Sequence, residues 1–243
     1  MPYKYLHEHR YQFDVEKVGA YTKQISEELA LERCPVGVKL INTKAEFESL
    51  DVPAVSGKLS YCQMVERATR GKTFKSAREN HSCDGATTAL AMESSTPEIE
   101  SGETYFSYNL YASKSVARRM RSGIVSLVYP DTKTFGMLTG PLSEYLFPPD
   151  LVLFIVHPAH AMRLVQGWEY ETGLKPSVNM GAMQAFCSEL TVVPLLSGSM
   201  NVSVFCPSTR TLSRWGDHEM GVSLPFERFY ALTEGVMATS ARA

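Results

Sequence analysis

The most informative stretch of the sequence is residues 59–92, LSYCQMVERATRGKTFKSARENHSCDGATTALAM. It places Cys62 and Cys83 on either side of a strongly basic segment, residues 67–78. Asp84 follows the second cysteine and precedes a run of small helix-forming residues, so it is predicted to cap a helix that begins beside Cys83. A thiol at a helix start near cations is favoured as its thiolate, which is the form that binds metals and attacks electrophiles.

Composition places the chain among ordinary globular proteins. Its 243 residues are 44% hydrophobic and 21% charged, which is enough to bury a core, and they predict a single domain over 1–243. The formal net charge of −2 argues against general nucleic-acid binding, because such proteins usually carry a clear basic excess. Any recognition of an anion must therefore be local.

Membrane and secretion signals are not evident in the sequence. Residues 1–17 are polar, and the longest apolar stretch, residues 151–156, is far too short to span a bilayer. The five cysteines are an odd number in a mid-sized chain. This pattern favours a reducing cytoplasm with free or metal-bound thiols over a disulfide framework.

Hydrophobic periodicity predicts strands interleaved with helices. The predicted strands are 36–41, 73–75, 124–129, 151–156 and 201–206. The predicted helices are 14–31, 61–69, 113–122, 158–168, 180–190 and 225–241. Residues 93–104 are polar and are expected to form a mobile surface loop. Together these elements predict an α+β fold, with a mixed sheet and flanking helices.

Five segments of the chain resemble a known family. They are CPVGVKL (34–40), YCQMVERATRGK (61–72), NHSCDGATTALAM (80–92), DLVLFIVHPAHAMRLVQ (150–166) and the C-terminal stretch 198–229. With these segments the chain resembles the uncharacterised family known as domain of unknown function 169, found largely in archaea and anaerobic bacteria. The resemblance implies that the family shares four of the cysteines and not Cys34: Cys62, Cys83, Cys187 and Cys206. An anaerobic setting also favours a redox or iron–sulfur role.

Four converging thiolates are the ligands of an iron–sulfur cluster such as 4Fe–4S, or of a tetrahedral zinc site. The sequence contains no CxxC pair, so such ligands would have to be brought together by folding. The basic residues of 67–78 would then offset the negative charge of the thiolates. Two alternatives stay open, which are small buried hydrophobic cysteines and a reactive thiol or thiol pair.

Histidines and a basic helix offer further candidate sites. His157 and His160 lie one helical turn apart after a predicted strand, where they could bind zinc or iron or simply lie at the surface. His81, close to Cys83, could tune a thiol or donate a proton. The basic helix 114–121 could hold an anionic cofactor or substrate, although most such runs are solvated helix faces.

These observations lead to one leading function and one alternative. The leading prediction is a cytoplasmic redox or electron-transfer protein that holds an iron–sulfur cluster, or zinc instead, on Cys62, Cys83, Cys187 and Cys206. Its expected partner is a redox protein or an anionic small molecule, without nucleic acid or membrane, and a homo-oligomer is compatible with it. The alternative is a non-redox protein or enzyme that binds a small molecule in a basic pocket near His157.

Overall fold

The computed structural model describes residues 13–128 and 133–239. The strands are β1 (Val36–Ile41), β2 (Phe74–Ala77), β3 (Gly136–Pro141), β4 (Leu151–Val156), β5 (Asn201–Ser203) and β6 (Met220–Pro225). The α-helices are α1 (Val15–Glu28), α2 (Lys44–Ser49), α3 (Tyr61–Ala68), α4 (Asp84–Ala89), α5 (Pro97–Glu100), α6 (Glu103–Phe106), α7 (Lys114–Gly123), α8 (Pro158–Glu169), α9 (Val193–Ser197), α10 (Pro207–Ser213) and α11 (Phe229–Ala238). A π-helix, Ala185–Val192, precedes α9. Short 3-10 turns occur at Arg78–Asn80, Leu142–Glu144 and Phe226–Arg228.

Within the described ranges the strands form one six-stranded sheet in the order β2-β3-β1-β4-β6-β5. Each pair of named strands is antiparallel, with β4 aligned along β6 from Leu151 opposite Pro225 to Val156 opposite Met220. The predicted α+β class is confirmed. The sheet expected to be mixed is instead antiparallel along its named strands.

β4 shows that the sheet is covered on both faces. All of its residues are buried, and successive side chains point to opposite faces because a strand has a period of two. Leu153 packs into one core with residues of α3, α4 and the π-helix, which we call the thiol-side core because it contains Cys62 and Cys187. Phe154 packs into a second core with α1, α8 and α11, which we call the helix-side core.

Long helices cover the helix-side core. Asp14 caps α1 by accepting the N–H of Lys17, and proline at the first turn begins α8, as the sequence predicts. α8 and α11 cross closely because each has a glycine at the contact. A Cβ added at Gly235 would overlap the carbonyl of Gly167. Among the described helices, none combines the length and the apolar character needed to cross a bilayer.

Two strands escaped prediction and one predicted strand is wrong. β3 and β6 contain glycine and proline, which obscure the alternating strand pattern in the sequence. Close packing nevertheless requires glycine at 140 and at 221. A Cβ at Gly140 would lie 2.5 Å from Oγ1 of Thr73, and one at Gly221 would overlap Leu190. Residues 124–128 form no strand, since the Leu127 N–H bonds to Ala89 near the end of α4. Residue 129, the last of that predicted strand, lies outside the described residues.

Half of the residues in the predicted mobile loop 93–104 are helical, in α5 and at the start of α6. The side chain of Thr96 accepts the N–H of Ile99, and proline occupies the first turn of α5. Ile99 is only 4% exposed and packs with Tyr105 and Ala117 in a small third core. Glu100 also pairs with Arg121 of α7 at 2.7 Å. One buried apolar anchor and one ion pair therefore fix a segment that looks uniformly polar in sequence.

We expect the substitution Gly235→Ala to destabilise the fold by about 1–3 kcal/mol, because the added methyl group cannot fit against the Gly167 backbone. Gly123→Ala is the matched control, since a Cβ at that helical position meets nothing within 4 Å. Urea unfolding of both variants tests this. Equal stability of the two variants would show that the α8–α11 contact is looser than described.

Asp150 gives the fold a pH dependence. Its Oδ2 accepts the Leu40 N–H at 2.6 Å, and its main chain bonds to Val38 and Phe226, so it ties β1 to the start of β4. Burial raises the pKa of this carboxyl to about 7, although Lys39 and the Leu40 N–H oppose that rise. The folded state then binds a proton more tightly than the unfolded chain, in which an Asp has a pKa of about 3.9.

Stability contributed by Asp150 is therefore present at low pH and lost as the pH rises towards about 7, by up to ~1.4 kcal/mol per pH unit. Asp150→Asn should flatten the dependence of the free energy of unfolding over this range. The exposed Asp51→Asn variant is the control and should keep the wild-type slope. Urea unfolding at several pH values measures both, and an unchanged slope in Asp150→Asn would contradict this assignment.

Candidate functional site

A cavity of about 330 Å³ lies between α3, α4, the α5–α6 segment, the π-helix and α10. Cys62, Cys83, Cys187 and Cys206 all line it. Each comes from a different element, so folding alone brings these thiols to one place. The volume is at the lower end of the range of about 300–1,000 Å³ for small-molecule pockets.

Each of the four thiols lies at or near the start of a helix. Cys62 is the second residue of α3, and Cys187 is the third residue of the π-helix. Cys83 and Cys206 are the N-cap residues of α4 and α10. The prediction that Asp84 is the N-cap is therefore wrong by one position, because Cys83 has the extended backbone of a cap and Asp84 already begins the helix. Helix starts have unbonded N–H groups, so backbone donors lie close to these sulfurs.

The π-helix is the unusual element of the site. The sequence predicts a helix from residue 180, but helical structure begins only at Ala185, after Gln184 in the left-handed conformation with φ 56°. Buried polar contacts hold it. Glu189 accepts the Gly181 N–H at 2.7 Å and also bonds to Ser203, while the Asn201 side chain donates to the Glu189 carbonyl. π-helical turns are rare and occur frequently at functional sites.

Hydroxyl and backbone groups contact the thiols. The Sγ of Cys62 lies 3.0 Å from Oγ of Ser60, and the Sγ of Cys206 lies 3.0 Å from Oγ1 of Thr209. Ser60 is itself the N-cap of α3 in a capping box with Gln63, so its position is fixed by the helix start. These hydroxyls can donate to a thiolate as readily as they accept from a thiol.

The electrostatics of the cavity favour neutral thiols. Burial raises the pKa of the Cys83 thiol, and the N–H groups of Ala86 and Gly85 oppose that rise. Burial raises the pKa of the Cys187 thiol well above its usual value, and the other three cavity thiols add to the rise. The Cys187 sulfur therefore lies within electrostatic reach of the other three. Cys83 and Cys187 should therefore stay protonated at neutral pH unless a cation binds beside them.

The side chains do not form a preassembled metal site. In residues 13–128 and 133–239, no group of three or more His, Cys, Asp or Glu side chains is arranged to hold a metal ion. The cavity therefore supplies the right donor atoms, but the thiols would have to rotate inward to share one centre.

Two of the sequence candidates lie away from the cavity. Cys34 is partly exposed, and its Sγ lies 3.6 Å from Oγ of Ser143. His81 is 1% exposed and contacts Ser76 through Nε2 at 3.2 Å. Burial first, and then the charge of Arg78, lower the pKa of His81 to about 4, so it is neutral at physiological pH. It is thus a buried neighbour of the Cys83 segment and does not line the cavity.

The basic segment also lies outside. Arg70 pairs with Glu66 at 2.6 Å. The ammonium group of Lys75 donates to the backbone carbonyls of Phe47 and Leu50, near the end of α2. Arg78 pairs with Asp84 and Glu93. Of the described residues that line the cavity, none is Lys or Arg, and Asp84 is the charged one. The basic residues expected to offset the charge of the thiolates thus lie behind the cavity wall, where Arg78 reaches the lining residue Asp84.

His157 and His160 belong to a separate cluster. Their rings stack with centroids 4.3 Å apart, and the ring of His218 lies 5.6 Å from that of His157. Nε2 of His157 lies 3.6 Å from a carboxylate oxygen of Glu32. Burial first and then the nearby His157 lower the pKa of His160. The fold thus adds a third imidazole and a carboxylate to the predicted histidine pair, but none of the three histidines lines the thiol cavity.

Sequence reasoning missed the far wall of the cavity. Tyr105, Tyr108 and Gln184 line it, with Nε2 of Gln184 donating to the Tyr105 hydroxyl at 2.6 Å. The recurring tyrosines were a visible signal, although nothing in the sequence linked them to the cysteines. Gln184 gave no signal, because its left-handed backbone and its partner depend on the tertiary fold.

A known protein family and a relative match this chain over most of its length. Residues 24–235 match the model of the family domain of unknown function 169, described as Uncharacterised ArCR. A curated relative, Uncharacterized protein MJ0308 of Methanocaldococcus jannaschii, is 24% identical over 230 residues, or 92% of this chain and 95% of the relative. No solved structure matches significantly. Because the family match covers the whole sheet and all four cavity cysteines, the chain belongs to the domain of unknown function 169 family.

Proposed function

We propose that the protein is an intracellular redox or electron-transfer protein that holds an iron–sulfur cluster on Cys62, Cys83, Cys187 and Cys206, with zinc as the alternative occupant. One observation supports this most directly. Four thiols from four separate elements line a single cavity, while the fifth, Cys34, lies elsewhere. Ligands of one centre must line a shared cavity, whereas cysteines that only fill an apolar core need not.

The four cavity cysteines are of the residue type that binds an iron–sulfur cluster or zinc. Thiolate sulfur is the ligand that iron–sulfur clusters and structural zinc prefer. Among the lining residues that the structure describes, none is a basic side chain that would stabilise thiolates by itself. A bound metal supplies that positive charge and lowers the thiol pKa values that burial has raised. The proposal requires the cysteine side chains to turn towards a common point.

An iron–sulfur cluster, when bound, would supply one-electron transfer. The task of this chain is then to hold the sulfurs and set their environment. Ser60 and Thr209 lie within hydrogen-bond distance of two sulfurs, and the N–H groups of Ala86 and Ser188 lie near Cys83 and Cys187. Donors to cluster sulfurs raise the reduction potential by stabilising the reduced, more negative state.

The alternative function is a non-redox small-molecule site near His157. One observation favours it, which is the third imidazole that His218 adds to the predicted pair. Its neighbours carry both charges, since Glu32 contacts His157 while Glu219, beside His218, is paired with Arg33. A basic pocket for an anionic substrate is therefore less well supported there than a thiol-bound centre in the cavity.

We expect Cys83→Ser to abolish bound metal and any brown colour, because a serine hydroxyl is a poorer and less acidic ligand. It should also lower the free energy of unfolding, by about 4 kcal/mol if the metal is present at a thousand times its dissociation constant. Cys34→Ser is the matched control and should keep the metal at a cost of at most about 1 kcal/mol. Metal analysis and thermal melts of both variants, purified without oxygen, test the expectation.

The opposite result is also informative. If wild type and Cys83→Ser are equally metal-free and equally stable, the four cysteines are packing or reactive thiols. The histidine cluster would then be the better place to look for function.

A further inference from the structure

The side-chain amide of Gln184 is buried at the cavity wall, and its carbonyl oxygen has no hydrogen-bond partner among the described residues. Gln184 is 7% exposed and lines the cavity. Nε2 donates to the Tyr105 hydroxyl, but Oε1 is buried and accepts no hydrogen bond from any described residue. A buried amide oxygen without a partner is costly, and most native proteins avoid it.

The backbone holds this amide in place at a further cost. Gln184 has φ 56° and ψ 44°, a left-handed conformation that residues other than glycine and asparagine adopt rarely. Gly85, next to the helix start at Cys83, leaves room for the amide, since a Cβ there would lie 2.6 Å from Nε2 of Gln184. Strain and an unsatisfied polar group at one residue are typical of a binding position.

Tyr105 completes a donor–acceptor pair. Because its oxygen accepts from Gln184, its hydroxyl proton is available to a ligand. Tyr105 is 3% exposed, and burial raises its pKa, so that proton stays in place at neutral pH. Oε1 of Gln184 lies just beneath the wall beside this donor, so a turn of the buried amide towards the cavity would present it to a ligand as an acceptor. A carboxamide group carries the complementary N–H donor and C=O acceptor on neighbouring atoms.

The charge of the cavity selects against anions. Of the described residues that line it, none is Lys or Arg, and the charged one, Asp84, is acidic. A carboxylate ligand would lack the N–H donor that Gln184 requires and would meet no cation. A neutral amide meets both conditions.

We propose that Gln184 and Tyr105 form a binding subsite for the carboxamide-type group of a small neutral ligand, seated in the cavity beside the thiols. The subsite goes beyond the proposed metal centre and does not depend on it. The polar wall and the thiol wall belong to the same cavity, so a bound ligand would lie next to the four sulfurs.

The test uses trifluoroacetamide as a probe and the anion trifluoroacetate as its isosteric counterpart, followed by fluorine NMR on the full chain purified without oxygen. We expect saturable binding of trifluoroacetamide only. Gln184→Asn should weaken that binding about five- to tenfold, because asparagine tolerates the left-handed backbone but withdraws the amide by one methylene. Tyr105→Phe, which removes the donor, should weaken it similarly.

Gln24→Asn is the matched control, since Gln24 is exposed on α1, and it should bind as wild type does. The proposal is overturned if trifluoroacetamide binds no better than trifluoroacetate, or if Gln184→Asn binds as wild type does. If Gln184→Asn fails to fold in thermal melts, Tyr105→Phe decides on the same criterion. Metal content measured on the same samples separates this inference from the proposed centre, because amide binding without metal supports the subsite alone.

Discussion

Burial of both faces of β1 and β4 is the constraint on which the rest of the structure depends. The central strands are apolar on both sides, so each face needs its own layer of helices. On one face α1, α8 and α11 are long enough to bury an apolar stripe. On the other face the cover consists mostly of short helices with a π-helix among them. Short helices have a large share of unbonded N–H groups, and several begin at the thiol cavity.

The chemistry of the cavity follows from that arrangement. Phe186 lines the cavity and stacks on the buried ring of Phe205 with centroids 5.2 Å apart, so the thiols on this side are poorly solvated. Poor solvation raises thiol pKa values, and no basic side chain among the described lining residues counteracts this effect. Such a cavity suits an occupant that brings its own positive charge to the sulfurs. The basic segment 67–78 lies between Cys62 and Cys83 in the sequence, but none of its described residues lines the cavity. It therefore does not directly counteract the rise in thiol pKa.

Much of the fold could be predicted from local patterns. The helices of α1, α3 and α8 and the strands β1 and β4 were identified because periodicity, caps and proline positions are local signals. β3 and β6 were missed because their glycines are required by tertiary packing against Thr73 and Leu190, which local sequence patterns do not reveal. The cysteines of the site could be named through a family resemblance. The same resemblance led to the prediction that they meet at one site. The left-handed Gln184 and the third histidine could not be predicted, since each depends on segments that are distant in sequence.

The proposed function requires the four cavity cysteines to hold one metal centre. The most direct measurement is the visible absorption spectrum of the wild-type chain purified without oxygen, together with its iron, sulfide and zinc content per chain. We expect a broad visible absorption with stoichiometric iron and sulfide, or a colourless protein with one zinc ion if zinc is the occupant. A colourless, metal-free protein in which all five thiols react with a thiol reagent once it is unfolded would contradict it.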